Sequence, residues 1–284
     1  MDPLLLFFAS GNAFFLGLGI TVLALIIRSR PVIPLIRYFL TLITISGIGL
    51  VILSSTPLPF WAYALWFGSI FFLAGTVQLK ARSRLINIAI LGLIITSLCF
   101  GLAESRYHLP PSIPVLGNHP IYVLGDSLSA GIRKGERTWP SVLMDQTHLR
   151  VVNLARAGAT IESAEAQVSG ITDSDSLVII EIGGNDLIRE ADGTTFRKQM
   201  DVLLSQVSSK SHRIAMFELP LLPFQNSIGE VQRELATQYG VKLIPKCYLA
   251  SVLGMEKGTL DGLHLSQLGH DALAKTIGGF LKVD

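Results

Sequence analysis

The chain has 284 residues, half of them hydrophobic and only 15% charged, with a formal net charge of +2. That length admits one catalytic domain plus a second unit, and so slight a charge gives no sign of a nucleic-acid partner. About 7 of the 23 Lys and Arg residues and 2 of the 21 Asp and Glu residues precede Pro110. The first part is therefore strongly apolar with two short basic clusters, and the rest has the charge density of a globular domain.

Residues 1–106 read as a transmembrane region of four helices, about 4–27, 35–54, 60–79 and 85–103. Pro3 to Ile27 carries no charge and, at about 1.5 Å per residue, reaches across a hydrocarbon core of about 30 Å. It lacks a positive leading region and a small-residue cleavage site, so it reads as a retained helix rather than a secretory signal. Ser54-Ser55-Thr56-Pro57-Leu58-Pro59 breaks the next apolar run in two, because its prolines remove backbone donors. Gly17, Gly19, Gly47 and Gly49 would let helices approach closely.

Arg28, Arg30 and Arg37 form one basic cluster, and Lys80, Arg82 and Arg84 the other. Basic residues near helix ends stay on the cytoplasmic side. The N-terminus and everything after Ala103 then face outward, which implies a multi-pass protein of a bacterial inner membrane with its globular domain on the periplasmic or extracellular side. Trp61, Tyr63 and Trp66 are expected as interfacial anchors. Cys99 and Cys247 fall in different parts of the chain and are expected to be unpaired packing residues.

A proline-rich linker, 107–118, includes Leu109-Pro110-Pro111-Ser112-Ile113-Pro114. The globular domain, 119–284, alternates strand candidates with amphipathic helical stretches. The strands are Ile121–Leu124, Val151–Leu154, Leu177–Ile182, Ile214–Glu218 and Lys242–Ile244. The helices are about Thr138–His148, Ile161–Gly170, Thr195–Ser209, Ile228–Tyr239 and Leu268–Leu281. Such alternation predicts an α/β fold with a parallel sheet covered on both faces, and a site in the loops beyond the strands' carboxyl ends.

The polar residues in those loops carry the chemistry. Ser127, in Gly125-Asp126-Ser127-Leu128, follows the first strand and is either a nucleophile awaiting a base or the cap of a helix. Gly158 follows the second strand and either presents a backbone N–H or makes an ordinary turn. Asn185, after Glu181-Ile182-Gly183-Gly184, offers an amide donor that with the N–H groups of Ser127 and Gly158 would complete an oxyanion hole. Glu181, in an apolar strand, needs a buried partner and reads as structural. Near the end stands Asp261-Gly262-Leu263-His264, where Asp261 would orient His264 as the base. His270 is the rival histidine and is assigned to surface capping. No Cys/His cluster has metal-ligand spacing.

All four blocks in this order, with Trp139-Pro140 after the first, resemble the SGNH hydrolase (GDSL esterase/lipase) family, most of all its thioesterase I/lysophospholipase L1/arylesterase branch. Leu265 stands where that family usually has proline. The resemblance implies a flavodoxin-like three-layer domain, no metal or organic cofactor, a Ser127–His264–Asp261 triad, and oxyanion donors from Ser127, Gly158 and Asn185. The expected activity is a membrane-anchored serine esterase working through an acyl-enzyme, with a lysophospholipid or other lipid acyl ester as substrate and Leu187, Leu222 and Phe224 lining the acyl site. Second is an O-acetylesterase or acyltransferase acting on envelope polysaccharide. From another class comes a transporter or receptor with a catalytically silent domain, against which the uncharged helix interiors argue.

Overall fold

The computed structural model describes residues 3–209 and 212–283. The chain divides into two compact units. One is helical, Phe7–His108 with Leu222–Asn226; the other comprises Met1–Leu6, Leu109–Leu221 and Ser227–Asp284.

The first apolar run forms two helices, α1 (Pro3–Ala9) and α2 (Asn12–Arg28), where one helix over 4–27 is expected from sequence. Between them Gly11 adopts a left-handed backbone, φ 84°, which a continuing helix cannot contain, and Ser10 Oγ accepts the Asn12 N–H. Three longer helices follow, α3 (Pro34–Leu53), α4 (Phe60–Gln78) and α5 (Ser83–Ser105). Among the described residues three helices, Pro34–Leu53, Phe60–Gln78 and Ser83–His108, are long and apolar enough to cross a membrane; Asn12–Arg28 is apolar but shorter.

Glycine decides how α2 meets α3. A Cβ on Gly17 would lie 2.7 Å from the Gly47 carbonyl oxygen, and one on Gly47 only 2.3 Å from Thr21 Oγ1. Gly19 and Gly49 have open space around them, so only one glycine of each pair serves the contact. A hydrogen bond ties α4 to α5, since Trp66 Nε1 donates to Ser97 Oγ at 2.9 Å. Trp66 is 1% exposed, which corrects its expected role as an interfacial anchor: its indole N–H finds a partner inside the helical unit. Trp61 is exposed, and Tyr63 donates to the Thr56 carbonyl in the turn before α4.

The second unit opens with β1 (Ile113–Val115), which lies inside the expected linker and pairs in parallel with β7 (Leu281–Val283). In chain order between them come β2 (Ile121–Gly125), α6 (Ser127–Ala130), α7 (Trp139–Thr147), β3 (Val151–Asn153), α8 (Ile161–Val168), β4 (Leu177–Glu181), α9 (Gly184–Ile188), α10 (Gly193–Ser208), β5 (Arg213–Phe217), α11 (Asn226–Gln238), β6 (Lys242–Ile244), α12 (Lys246–Leu253) and α13 (Gln267–Phe280). The main sheet is parallel, in the order β3-β2-β4-β5-β6.

Alternation along the strands separates two cores. Ile121, Val123, Leu177, Ile179, Ala215 and Phe217 face α7, α12 and α13. Tyr122, Leu124, Val178, Ile180, Ile214 and Met216 face α8, α10 and α11. The result is the three-layer α/β arrangement expected from sequence. Strand order reverses between β2 and β4, and a parallel sheet opens a crevice at the carboxyl ends of such a pair.

Substituting Gly47 by Val should destabilise the helical unit by about 1–3 kcal/mol, the cost of overpacking, while Gly49→Ala should be near neutral. Thermal unfolding of the full chain in detergent reads the difference, and equal transition temperatures would show that α2 and α3 do not pack through these glycines.

Candidate active site

The turn that carries Ser127 is over-determined by its neighbours. Asp126 caps α6, its Oδ1 accepting the Leu128 N–H at 3.0 Å. Gly125 pairs with Glu181 across β2 and β4, and a Cβ on Gly125 would lie 2.8 Å from the Glu181 carbonyl oxygen and 2.9 Å from Ser129 Oγ. Glycine is needed there for space. β3 ends at Asn153, but the chain after it still reaches Gly125, whose carbonyl accepts the Arg156 N–H at 3.0 Å, and the Gln167 side chain bonds Gly125 as well. Its Oε1 accepts the Gly125 N–H at 2.9 Å and its Nε2 donates to the Gly125 carbonyl at 3.0 Å. Asn153 Nδ2 donates to the Ser129 carbonyl at 2.8 Å.

The β4 loop meets this turn directly. Asn185 Nδ2 donates to Asp126 Oδ2 at 3.3 Å and to the Ala159 carbonyl at 2.9 Å. Asp186 is buried and accepts the Ile161 N–H at 3.1 and 3.3 Å, satisfying the first turn of α8. One two-residue segment, Asn185-Asp186, thus fixes both the Ser127 turn and the loop containing Gly158. Gly158 has φ 76°, a conformation glycine adopts at little cost, and it is exposed.

Asp261 and His264 form a closed local unit. Asp261 Oδ1 accepts the N–H groups of Leu263 and His264 at 3.0 and 2.8 Å, and Oδ2 receives His264 Nδ1 at 2.7 Å. These bonds, the imidazole first, hold the Asp261 carboxyl well below the usual carboxylate range. With Nδ1 as donor, Nε2 is left as the acceptor. Leu265, the departure from proline, is 1% exposed and bridges Thr259, anchoring the turn.

These blocks converge electrostatically. Burial raises the Asp126 carboxyl from 3.8 to about 6, against the pull of the Leu128 N–H and of the His264 imidazole. His264 therefore lies close enough to the residue before Ser127 for its charge to be felt. Among the described residues, Ser127 Oγ and His264 are not hydrogen-bonded to each other. Ser127 Oγ and the His264 imidazole share one end of the sheet without contact.

A sequence profile described as GDSL-like Lipase/Acylhydrolase matches residues 121–277, more than half of the chain. The chain belongs to this family. It is an ester-hydrolysing serine hydrolase of the SGNH/GDSL fold. An arylesterase from Vibrio mimicus is 27% identical over 158 residues, covering 51% of this chain and 78% of its own. The crystal structure of TesA superposes with a TM-score of 0.51 at 22% identity, over 57% of this chain and 97% of TesA. The psychrotrophic esterase EstA from Pseudoalteromonas sp. has a TM-score of 0.51 at 18% identity, over 56% and 94%. At those identities the two structures bear on the fold alone.

Other expected residues of this GDSL hydrolase fall differently. Leu187 is half-buried and packs against the α8–α10–α11 core. Leu222 and Phe224 are exposed and belong to the segment that groups with the helical unit. His270 is not a surface cap. It is 1% exposed, its Nδ1 accepts the Trp139 N–H at 3.1 Å, and its Nε2 lies 3.6 Å from Glu136 Oε1. Trp139 opens α7 and has no helical acceptor for that N–H, so the distant imidazole supplies one. Nothing but residue type marks Gln167, Asn153 or Asp186 along the chain, because each acts on a distant segment.

Burial lowers the His270 imidazole below its ordinary 6.5. A depressed histidine contributes stability above pH 6.5 that is lost as pH falls through the lower folded value. His270→Ala should therefore cost about 1–3 kcal/mol at pH 8, where the Trp139 N–H is orphaned, and less at pH 5. Ester hydrolysis per folded molecule should persist. A folded but inactive variant would assign His270 to the chemistry.

Proposed function

We propose that this GDSL hydrolase is a membrane-anchored serine esterase that cleaves carboxylic esters through an acyl-enzyme on Ser127. The observation that carries the reading is the Asp261–His264 pair, 2.7 Å between Oδ2 and Nδ1, whose imidazole acts on the carboxyl adjoining Ser127. Ser127 Oγ attacks the ester carbonyl and His264 Nε2 takes its proton, while the Asp261 carboxylate stabilises the imidazolium. The N–H groups of Ser127 and Gly158 and the Asn185 amide hold the developing oxyanion. Asn185 is committed at 2.9 Å to Ala159 and at 3.3 Å to Asp126, so the longer bond is the one a substrate oxygen displaces. His264 then protonates the leaving alcohol, and water activated by the same imidazole releases the acid.

The helical unit is read as the anchor. The basic clusters flank the α2–α3 and α4–α5 turns: Arg28 ends α2 and Arg37 lies in the first turn of α3 with Arg30 between them, and Lys80 and Arg82 precede Arg84 at the start of α5. Basic residues at those helix ends favour the cytoplasmic face. The hydrolase then works outside the membrane on an ester presented by the lipid, a lysophospholipid or a related acyl ester. Leu187 is retained as a lining residue for the acyl group.

Ser127→Ala should lower kcat for p-nitrophenyl butyrate by at least about 10³-fold, and Asn185→Ala by about 10²–10³-fold. A Ser127→Ala protein with wild-type turnover would remove the nucleophile assignment. Fatty acid release from a lysophospholipid vesicle by the full chain should match or exceed that from a water-soluble acetyl ester. Cleavage of the acetyl ester alone would turn the substrate assignment away from lipids.

A further inference from the structure

Beneath the turn that bears Ser127 lies a buried acid that the proposed chemistry does not use. Glu181 ends β4, is 2% exposed, and pairs with Gly125 across the sheet. Its Oε2 accepts Ser129 Oγ at 2.8 Å, and the same Ser129 Oγ receives Trp139 Nε1 at 3.0 Å. An indole N–H can only donate, so the Ser129 hydroxyl proton must point to Glu181. The Asp126 N–H donates to the Glu181 carbonyl at 3.2 Å. The four-residue helix α6 is therefore held from below by Glu181 and Trp139 through Ser129, and from above by Asp126 and Asn185.

We propose that Glu181 is a positioning residue: its carboxyl locks the Ser127 turn through Ser129, and a second carboxylate charge there, beside Asp126, loosens that turn at alkaline pH. The inference rests on Ser127 as nucleophile. Charges facing the pair all disfavour an ionised Glu181. Asp126 stands on the adjoining turn and Ser129 and Trp139 offer no cation. Asp186 on α9 adds negative charge near Asp126, and the His264 imidazole acts on Asp126 rather than on Glu181. No Lys or Arg among the described residues pairs with Glu181. Burial and the Asp126 carboxylate together push Glu181 well above its usual range. A second charge, on the opposite side of so short a helix, has nothing to balance it and loosens the turn.

The test is steady-state hydrolysis of p-nitrophenyl acetate by the full chain in detergent from pH 6 to 9.5, with Ser127→Ala measured beside it. Ser129→Ala and Glu181→Ala should each lower kcat by about 10–100-fold at pH 7 with KM nearly unchanged, as misplacement of a reacting group does. The double variant should be no worse than either single one, because both remove one link. Glu181→Gln keeps the acceptor and the neutral form. It should hold kcat within about 3-fold at pH 7 and lose the alkaline fall that the wild type shows. An active Ser127→Ala protein would overturn the nucleophile assignment and this inference with it. An inactive Ser127→Ala protein beside a fully active Ser129→Ala, or beside a Glu181→Gln that keeps the wild-type alkaline limb, would overturn the role of Glu181 alone. If Glu181→Ala does not fold, the other two variants still decide.

Discussion

Pairing of β2 with β4 is the constraint on which the rest of the site depends. Five consecutive register positions run from Ile121–Leu177 to Gly125–Glu181, and both strands are buried along their whole length. A slip of one residue would exchange the two cores, so the register is fixed by the alternation of apolar side chains on both faces. Because the register is fixed, the two chains leave the sheet side by side, one into Asp126-Ser127 and the other into Asn185-Asp186. The sheet order makes that same edge the reversal point, where a substrate can enter between loops.

The polar chemistry is built on this edge by side chains that replace missing backbone partners. Gln167 accepts the Gly125 N–H at the end of β2 and adds a second donor to its carbonyl. Asp186 satisfies the first turn of α8, and His270 satisfies the first N–H of α7. Buried backbone donors cost about 1–3 kcal/mol when left unpaired, so each of these side chains also contributes to the stability of the loops around Ser127. Stability and local geometry are one network here, which is why several acids near Ser127 are buried instead of solvated.

Much of this was legible in the sequence for local reasons. The strands and the blocks beginning at Gly125, Asn153, Glu181 and Asp261 are short motifs whose meaning lies in a few consecutive residues, and Asp261–His264 closes within a single turn. What was illegible is long-range. His270 reads as a cap until Trp139, 131 positions away, is seen to need an acceptor. Trp66 reads as an interfacial anchor until Ser97 on the next helix takes its N–H. β1 and β7 have three residues each, too few to show a period, and exist only because they pair with each other. The break at Gly11 was overlooked because hydropathy does not register a left-handed backbone.

The proposed nucleophile is a serine at the reversal point of the sheet, activated by the Asp261–His264 pair. Tandem mass spectrometry of the full chain after treatment with a fluorophosphonate tests this at the level of the atom that reacts. The account predicts a single phosphonylated peptide with the adduct on Ser127, and none in the His264→Ala protein. An adduct on another serine, or undiminished labelling of Ser127 without His264, would contradict it.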